Sequence, residues 1–266
     1  MLHNVKELER YSVEAVDGPL GTVTDLYFDD KRWAVRYFVV ETGSWLKGRK
    51  VLISPNAVQR IEWDDGVMRV SLTQQQLRDS PGIDADKPVS RQNEIDHHLY
   101  YGYPNYWEGG NLWGLDAFPV PWVGASPDPM RGSDGRRDDA VARERHERLD
   151  RKLESADWHL RSGNEVIGYE IMASDGPIGG VENFVFDDKD WAIRYMVVDT
   201  RKWLPGKHVL VSPEWIDRIS WPDREVHVKI ARHTVETSPE YDTSHVLSRE
   251  HETALHAHYQ RTGYWQ

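Results

Sequence analysis

Short apolar runs alternate with turn-forming residues along the first part of the chain. Each run predicts a strand, and together the runs cover 11–16, 21–28, 33–40, 50–54, 58–63 and 67–72. Asp17-Gly18-Pro19 supplies one of the turns between them. A helical turn at 74–78 and a helix from the N-cap residue Ser90 to about Tyr100 are predicted to follow. Six short strands of this kind predict a small, mainly β, closed barrel.

The same pattern occurs a second time. A shift of 158 positions brings matching residues into register without a gap, and the matches include Trp33 with Trp191, Arg36 with Arg194, Tyr37 with Tyr195, Ser54 with Ser212, and Trp107 with Trp265. Each copy spans about 97 residues, a length that suits one compact domain and is too long for a solenoid repeat. We therefore predict a first domain at 1–107, a connector at 108–162 and a second domain at 163–266.

The third predicted strand is apolar on both faces, and Arg36 is its one charged residue. A barrel interior covers one face, so a helix, the sister domain or a second chain is expected to cover the other. Arg194 has the same place in the second copy. Because an unpaired buried guanidinium is costly, we predict that both arginines form structural ion pairs with a carboxylate of the following helix or the connector. Partner recognition stays open as their alternative role.

The connector has two parts of different composition. Residues 108–135 are rich in Gly and Pro but include Trp113, Phe118 and Trp122, so this part is expected to lie against another surface. Residues 136–161 are rich in Arg and Glu and carry an apolar stripe, which predicts an amphipathic helix. The stripe consists of Leu149, Leu153, Ala156 and Leu160. Packing on the chain's own barrel and pairing with a partner helix are both open.

Composition excludes several classes of function. The 266 residues carry a net charge of −11, and no segment has the basic excess that phosphate binding needs, so no nucleic-acid partner is expected. The absence of cysteine excludes disulfides and thiolate metal sites. The sequence shows neither a secretory signal nor an apolar stretch of the roughly 18 residues that cross a bilayer. A cytoplasmic protein without a transmembrane segment is therefore expected.

Histidines and paired acids are the candidates for metal binding or catalysis. His251, His256 and His258 are close in sequence to Glu252, but only Glu252 and His256 share a helix face, and the adjacent His97 and His98 diverge on a helix; His245 lies further upstream. We expect solvated surface histidines and no metal. Asp29-Asp30 and Asp187-Asp188 are expected to form turns. No catalytic residues, no cofactor and no enzyme activity are predicted.

The repeated motifs resemble the PRC-barrel family. They are Asp-Gly-Pro-(Leu/Ile)-Gly, Phe-Asp-Asp-Lys before Trp-Ala-(Val/Ile)-Arg-Tyr, and Trp-Leu-x-Gly-(Arg/Lys)-x-Val-Leu-(Ile/Val)-Ser-Pro. Other members of the superfamily form the cytoplasmic domain of the photosynthetic reaction centre H subunit and the C-terminal domain of the ribosome maturation factor RimM. The resemblance implies a small β-barrel that binds proteins without catalysis. H subunits have an N-terminal transmembrane helix and RimM has a different first barrel, so neither specific role transfers.

Aromatic and apolar residues in loops and at the end of each copy are the candidate partner-binding residues. They are Trp45, Leu46, Trp203, Leu204, Tyr106, Trp107, Tyr264 and Trp265. The alternative is that the loop pairs plug their barrel ends and that the terminal aromatic arms clasp their own barrels.

The sequence thus predicts a non-enzymatic scaffold that docks onto a larger assembly through protein partners of unknown identity. A homodimer and peripheral association with a membrane complex stay open. The alternative functions are a reaction-centre-like accessory of photosynthetic electron transport, a ribosome-assembly adaptor and a small-ligand or metal-binding protein.

Overall fold

The computed structural model describes residues 1–81, 89–120, 159–200 and 207–266. These residues form two compact units. Unit 1 contains residues 1–9, 32–35 and 162–266, and unit 2 contains residues 10–31 and 36–161. Within the described ranges no helix is both long and apolar enough to cross a membrane.

Short strands dominate both copies, which confirms the predicted mainly β fold class. The described strands are β1 Leu2–Asn4, β2 Ser12–Ala15, β3 Gly18–Asp29, β4 Ala34–Thr42, β5 Lys50–Ile53, β6 Val58–Glu62, β7 Val67–Val70, β8 Leu160–Ser162, β9 Glu170–Ala173, β10 Gly176–Asp187, β11 Ile193–Asp199, β12 His208–Val211, β13 Ile216–Ser220 and β14 Glu225–Val228. The described helices are α1 Val5–Leu8, α2 Gln74–Asp79, α3 Arg91–Tyr101, α4 Gly163–Val166, α5 Arg232–Glu236 and α6 Arg249–His258. Short 3₁₀ turns occur at Ser44–Leu46, Pro55–Ala57 and Pro213–Trp215.

Unit 2 holds a seven-stranded sheet in the order β5-β4-β3-β2-β7-β6, with β8 paired to β3. Strand β2 pairs parallel with β7 and antiparallel with β3. Residues 34–40 of β4 are all buried, as expected for a strand that is apolar on both faces. Helix α3 covers the face that carries Tyr37, since the side chains of His97 and His98 both lie against that ring.

Unit 1 repeats this arrangement in the order β12-β11-β10-β9-β14-β13, with β1 paired to β10. Strand β9 again pairs parallel with β14 and antiparallel with β10. Ser248 caps α6 through a bond from the His251 backbone N–H, just as Ser90 caps α3 through Asn93. Both caps were predicted from the sequence, where serine precedes a helical run.

The boundaries of the units differ from the predicted domains at the segment that precedes each copy. Residues 1–9 belong to the unit built mainly from the second copy, and β1 pairs antiparallel with β10 from Leu2 opposite Asp187 to Asn4 opposite Val185. Residues 159–161 belong to the unit of the first copy, where β8 pairs with β3. The predicted helix at 136–161 lies mostly outside the described residues, and its described end is strand rather than helix because Leu160 and Arg161 join this sheet.

Candidate functional site

A buried carboxylate organises the polar core of unit 2. Glu94 lies in the first turn of α3, and its side chain is fully buried. The guanidinium of Arg91 lies 3.0 Å from Glu94 Oε2, and His159 Nε2 lies 3.1 Å from the same oxygen. Tyr106 donates its hydroxyl hydrogen to Glu94 Oε1. Positive charge and hydroxyl donors thus offset the cost of burying the carboxylate.

His159 is the residue through which the segment before the second copy joins this network. Its Nδ1 lies 3.2 Å from Arg91 Nη2, which can only donate, so Nδ1 accepts. Its Nε2 is then the protonated nitrogen, 2.9 Å from the Tyr106 hydroxyl oxygen and close to Glu94. Arg91 Nη1 also donates to that hydroxyl oxygen, at 3.1 Å. The two ring nitrogens of His159 thus contact Arg91, Tyr106 and Glu94.

A histidine of α3 joins the barrel to the aromatic segment that follows the helix. His98 Nδ1 donates to the Pro104 carbonyl oxygen at 2.9 Å, which leaves Nε2 to accept from the Tyr37 hydroxyl at 2.9 Å. Its neighbour His97 donates from Nε2 to the Leu52 carbonyl oxygen at 3.2 Å. Burial lowers the pKa of His97 to about 4 and that of His98 to about 3, so both are neutral at ordinary pH. Burial also raises the pKa of Tyr37 well above its usual value.

Arg36 is buried and pairs with a carboxylate from the turn before its strand. Its Nη2 lies 3.2 Å from Asp29 Oδ2, and its guanidinium carbon lies 3.8 Å from the centre of the Tyr106 ring and 4.8 Å from that of Trp113. Burial lowers the pKa of Arg36. The sequence analysis expected a carboxylate of the following helix or connector. The partner is Asp29 because β3 and β4 form a hairpin, whereas the connector supplies an aromatic face.

The second copy builds a similar but smaller network, with a tyrosine, glutamate, histidine and arginine at the equivalent positions. The Tyr195 hydroxyl oxygen lies 2.9 Å from Glu252 Oε1 and 2.9 Å from His256 Nε2, while Arg249 lies 3.0 Å from Glu252 Oε2. His256 Nδ1 donates to the carbonyl oxygen of residue 262 at 3.0 Å, and burial lowers its pKa. Arg249 stacks on Trp265, 4.3 Å from the ring centre. The side chain of Arg249 is 50% exposed, whereas that of Arg91 is 9% exposed.

Arg194 repeats the arrangement of Arg36 with one change. It pairs with Asp190, and Asp187 lies 3.8 Å away at the position that corresponds to Asp29. Its guanidinium carbon lies 3.9 Å from the centre of the Tyr264 ring. A carboxylate of the β10–β11 turn and an aromatic face again hold a guanidinium at the same place in the barrel.

The comparison with known proteins agrees with this repeated geometry. The model of the PRC-barrel domain matches twice, at residues 3–77 and 159–233. The chain belongs to the PRC-barrel family. An uncharacterized protein of Deinococcus radiodurans is 34% identical over 73 residues. The match covers 27% of this chain and 26% of that protein, so the chain spans about a quarter of the length of the relative it matches.

The aromatic residues after each PRC-barrel mainly clasp their own barrel. Tyr106 is 2% exposed and lies in the Glu94 network, so its predicted role as a partner anchor is corrected. Trp107, Tyr264 and Trp265 are half-buried. A helical histidine in each copy explains this burial. His98 and His256 each bond a backbone carbonyl oxygen two residues before the aromatic pair.

The predicted loop anchors differ in what the structure describes. Trp45 and Leu46 are half-buried in the short turn Ser44–Leu46, and Trp45 Nε1 donates to the Leu20 carbonyl oxygen. This bond turns the indole toward its own barrel. Trp203 and Leu204 lie outside the described residues.

The expectation of solvated histidines is wrong for three of the helical ones. His97 and His98 are each 2% exposed and His256 is 3% exposed. The polar residues around them suggested a surface, but each ring is buried and has at least one nitrogen bonded to a backbone carbonyl oxygen. The sequence did contain one signal of this burial. The repeat aligns His98 with His256 and Glu94 with Glu252 at the same shift of 158.

The described residues do not bring metal-ligating groups together. Within the described ranges no group of three or more His, Asp or Glu side chains is arranged to hold a metal ion. His245 pairs with Asp242, and His258 lies 2.7 Å from the Thr234 carbonyl oxygen. Asp29 and Asp187 each accept a bond from the backbone N–H two residues later, the arrangement of an Asx turn. These groups therefore serve the PRC-barrel framework.

Proposed function

We propose that the chain is a non-enzymatic docking protein, whose two PRC-barrels present their exterior to a larger assembly. The titratable groups of the two networks favour this function, because they are bound to one another within the barrels. Glu94 and Glu252 are 0% and 1% exposed, so a substrate has no direct access to either carboxylate. Such a chain therefore binds a partner through the exterior of its barrels rather than through a reactive pocket.

A hydrogen-bonded turn after the first barrel provides the main support for the proposal. Asn111 N–H donates to the Gly114 carbonyl oxygen and Trp113 N–H donates to that of Asp116, both at 2.9 Å. Trp113 is 3% exposed and anchors the turn. Gly114 has φ +86, and a Cβ there would come 2.7 Å from a backbone oxygen, so the turn needs glycine.

This turn holds apolar side chains in solvent. Leu115 is 83% exposed, Phe118 is 56% exposed and Val120 is 40% exposed. Scattered single apolar residues on a surface need no explanation, but three within six residues of a hydrogen-bonded turn form an apolar surface that a partner protein can cover. Interfaces take most of their binding energy from a few such side chains.

The test is capture of partners by the full chain with chemical crosslinking in native extracts. A Leu115→Ser/Phe118→Ser variant is compared with wild type and with a Val16→Ser/Val246→Ser control, since Val16 and Val246 are also exposed at 62% and 59%. We expect a specific crosslinked protein that the first variant loses and the control keeps. Equal capture by all three proteins, or no stoichiometric partner for wild type, would contradict the proposal.

A further inference from the structure

The segment that precedes each barrel pairs with a strand of the other copy of the repeat. Residues 1–9, called here the N-terminal arm, lie in unit 1 with residues 162–266. Residues 159–161, called the central arm, lie in unit 2 with the first barrel. The N-terminal arm is therefore separated along the chain from its sheet by the whole first barrel, and the central arm from its partner strand β3 by strands β4 to β7 and the connector.

The N-terminal arm makes both apolar and polar contacts with its sheet. Leu2, Val5 and Leu8 are 7%, 4% and 1% exposed, and α1 packs on β10. Asn4 Nδ2 donates to the Tyr241 hydroxyl oxygen at 3.1 Å. The arm thus combines strand pairing with three buried aliphatic side chains and a buried hydrogen bond from the Asn4 side chain. Together these contacts fix one register of the arm on β10.

Further polar contacts extend the N-terminal arm's pairing with β10 at both ends. The Lys6 backbone N–H donates to Asn183 Oδ1 at 3.3 Å, and His3 Nε2 lies 3.2 Å from Asp188 Oδ2. The Asp188 backbone N–H donates to the carbonyl oxygen of residue 1 at 3.0 Å. The arm is thus fixed along its length rather than at a single point.

The central arm makes the corresponding contacts with the first barrel. The Asp30 backbone N–H donates to the His159 carbonyl oxygen at 2.9 Å, the same bond as that of Asp188 after a shift of 158. Arg161 Nε lies 3.1 Å from Asp30 Oδ2, and Leu160 is 3% exposed in a core with Tyr27. His159 adds the buried network of Glu94.

We propose that the pairing of each arm with the sheet that receives it is strong enough to hold the two halves of the chain together without the connector. The partner is the complementary barrel of the same chain. Two arms act at once, and a second binding event between joined parts benefits from a high effective concentration. This inference is independent of the docking role proposed above, which concerns other residues.

Severing the connector of the folded full-length chain tests the proposal. A protease recognition sequence is inserted between Gly132 and Ser133, the purified protein is cut, and light scattering is measured after size exclusion. We expect one species near the 30.9 kDa of the intact chain. Two separate half-size species would overturn the proposal. A doubled mass would place the arm on a second copy and would overturn the assignment to the same chain.

A matched pair of variants connects the result with the arm. Leu8→Asp puts a charge at a side chain that is 1% exposed, whereas Val16→Asp puts the same charge at one that is 62% exposed on the same half. We expect the halves of cut Leu8→Asp to associate about a hundredfold more weakly and those of Val16→Asp to associate as wild type. The chain folds before it is cut, and circular dichroism of the uncut variants reports their folding. Unchanged association of folded Leu8→Asp would refute the role of the arm.

Discussion

Removal of the buried charge of Glu94 is expected to lower the free energy of unfolding more than removal of the charge of its counterpart Glu252. Glu94→Gln keeps the shape and an acceptor oxygen for the Tyr106 hydroxyl, but it removes the negative charge beside Arg91. The Arg91 side chain is 9% exposed, so water cannot replace the lost charge. Breaking a buried pair by removing one partner costs about 3–5 kcal/mol. The amide also places N–H donors against the guanidinium, which can only donate.

The second copy supplies the matched control. Glu252→Gln makes the same change, but Arg249 is 50% exposed and water can solvate its guanidinium. We expect a loss of about 1.5–3 kcal/mol there, the usual contribution of a hydrogen bond to a charged group. Because Arg91 is more buried than Arg249, Glu94→Gln is expected to destabilise the chain more than Glu252→Gln does.

Hydrogen exchange resolved to α3 and α6 is the assay of choice, combined with urea unfolding. A chain with two compact units need not unfold in two states, so one global midpoint could hide the comparison. We expect the protection of α3 to fall strongly in Glu94→Gln and that of α6 to fall modestly in Glu252→Gln. Equal losses would refute the argument from burial, and so would a loss under about 1 kcal/mol for Glu94→Gln. An Arg91→Met/Glu94→Gln variant should recover part of the stability because it removes both charges.

Other predictions follow from pKa values, backbone conformation and the histidine contacts. Because burial depresses the folded-state pKa of His97 to about 4 and of His98 to about 3, the unfolded chain binds more protons below pH 6.5. Urea unfolding should therefore show full stability above pH 6.5 and a loss of about 1.4 kcal/mol per histidine per pH unit toward pH 4. In His97→Gln the contribution of His97 to this pH dependence should be absent. Gly168 has φ +91 with open space where a Cβ would stand, and Arg10 occupies the equivalent place at φ +80. Gly168→Ala should cost about 1 kcal/mol in thermal unfolding and Arg10→Ala almost nothing, and equal effects would contradict the conformational argument. Zinc or nickel should leave the Tm unchanged, and a rise with metal concentration would restore the metal-binding alternative.

Local features of the barrels could be predicted from the sequence because they depend on neighbouring residues. The strands follow from apolar runs, the helix starts follow from Ser90 and Ser248, and the turn at Asp29 follows from its own side chain. The family resemblance rested on motifs of the same local kind, and the matched family model confirms it.

The position of the arms could not be predicted in the same way. A strand of three residues such as Leu2–Asn4, with the sequence Leu-His-Asn, shows no apolar pattern and carries no mark of the sheet that it joins. Its partner β10 begins more than 170 residues later along the chain, and the equivalent strand β3 of the other barrel ends in the same Phe-Asp pair. The buried histidines were missed for a related reason, because a polar helix face predicts solvent unless its partners on a distant strand are known.

The pseudo-symmetry of the arms ends at the residue that enters the buried network. His159 of the central arm contacts Glu94, Arg91 and Tyr106, whereas the N-terminal arm has Met1 at the equivalent position. The shared strand pairing therefore explains why both arms dock, but only the central arm contributes an imidazole to a barrel's polar core. It follows that displacement of the central arm removes a partner from Glu94 and should loosen α3, while displacement of the N-terminal arm leaves the Glu252 network with all of its described partners. Hydrogen exchange of α3 and α6 in a His159→Ala variant separates the two cases, since only α3 should lose protection; a loss confined to α6, or none in either helix, would show that the central arm does not support the first network.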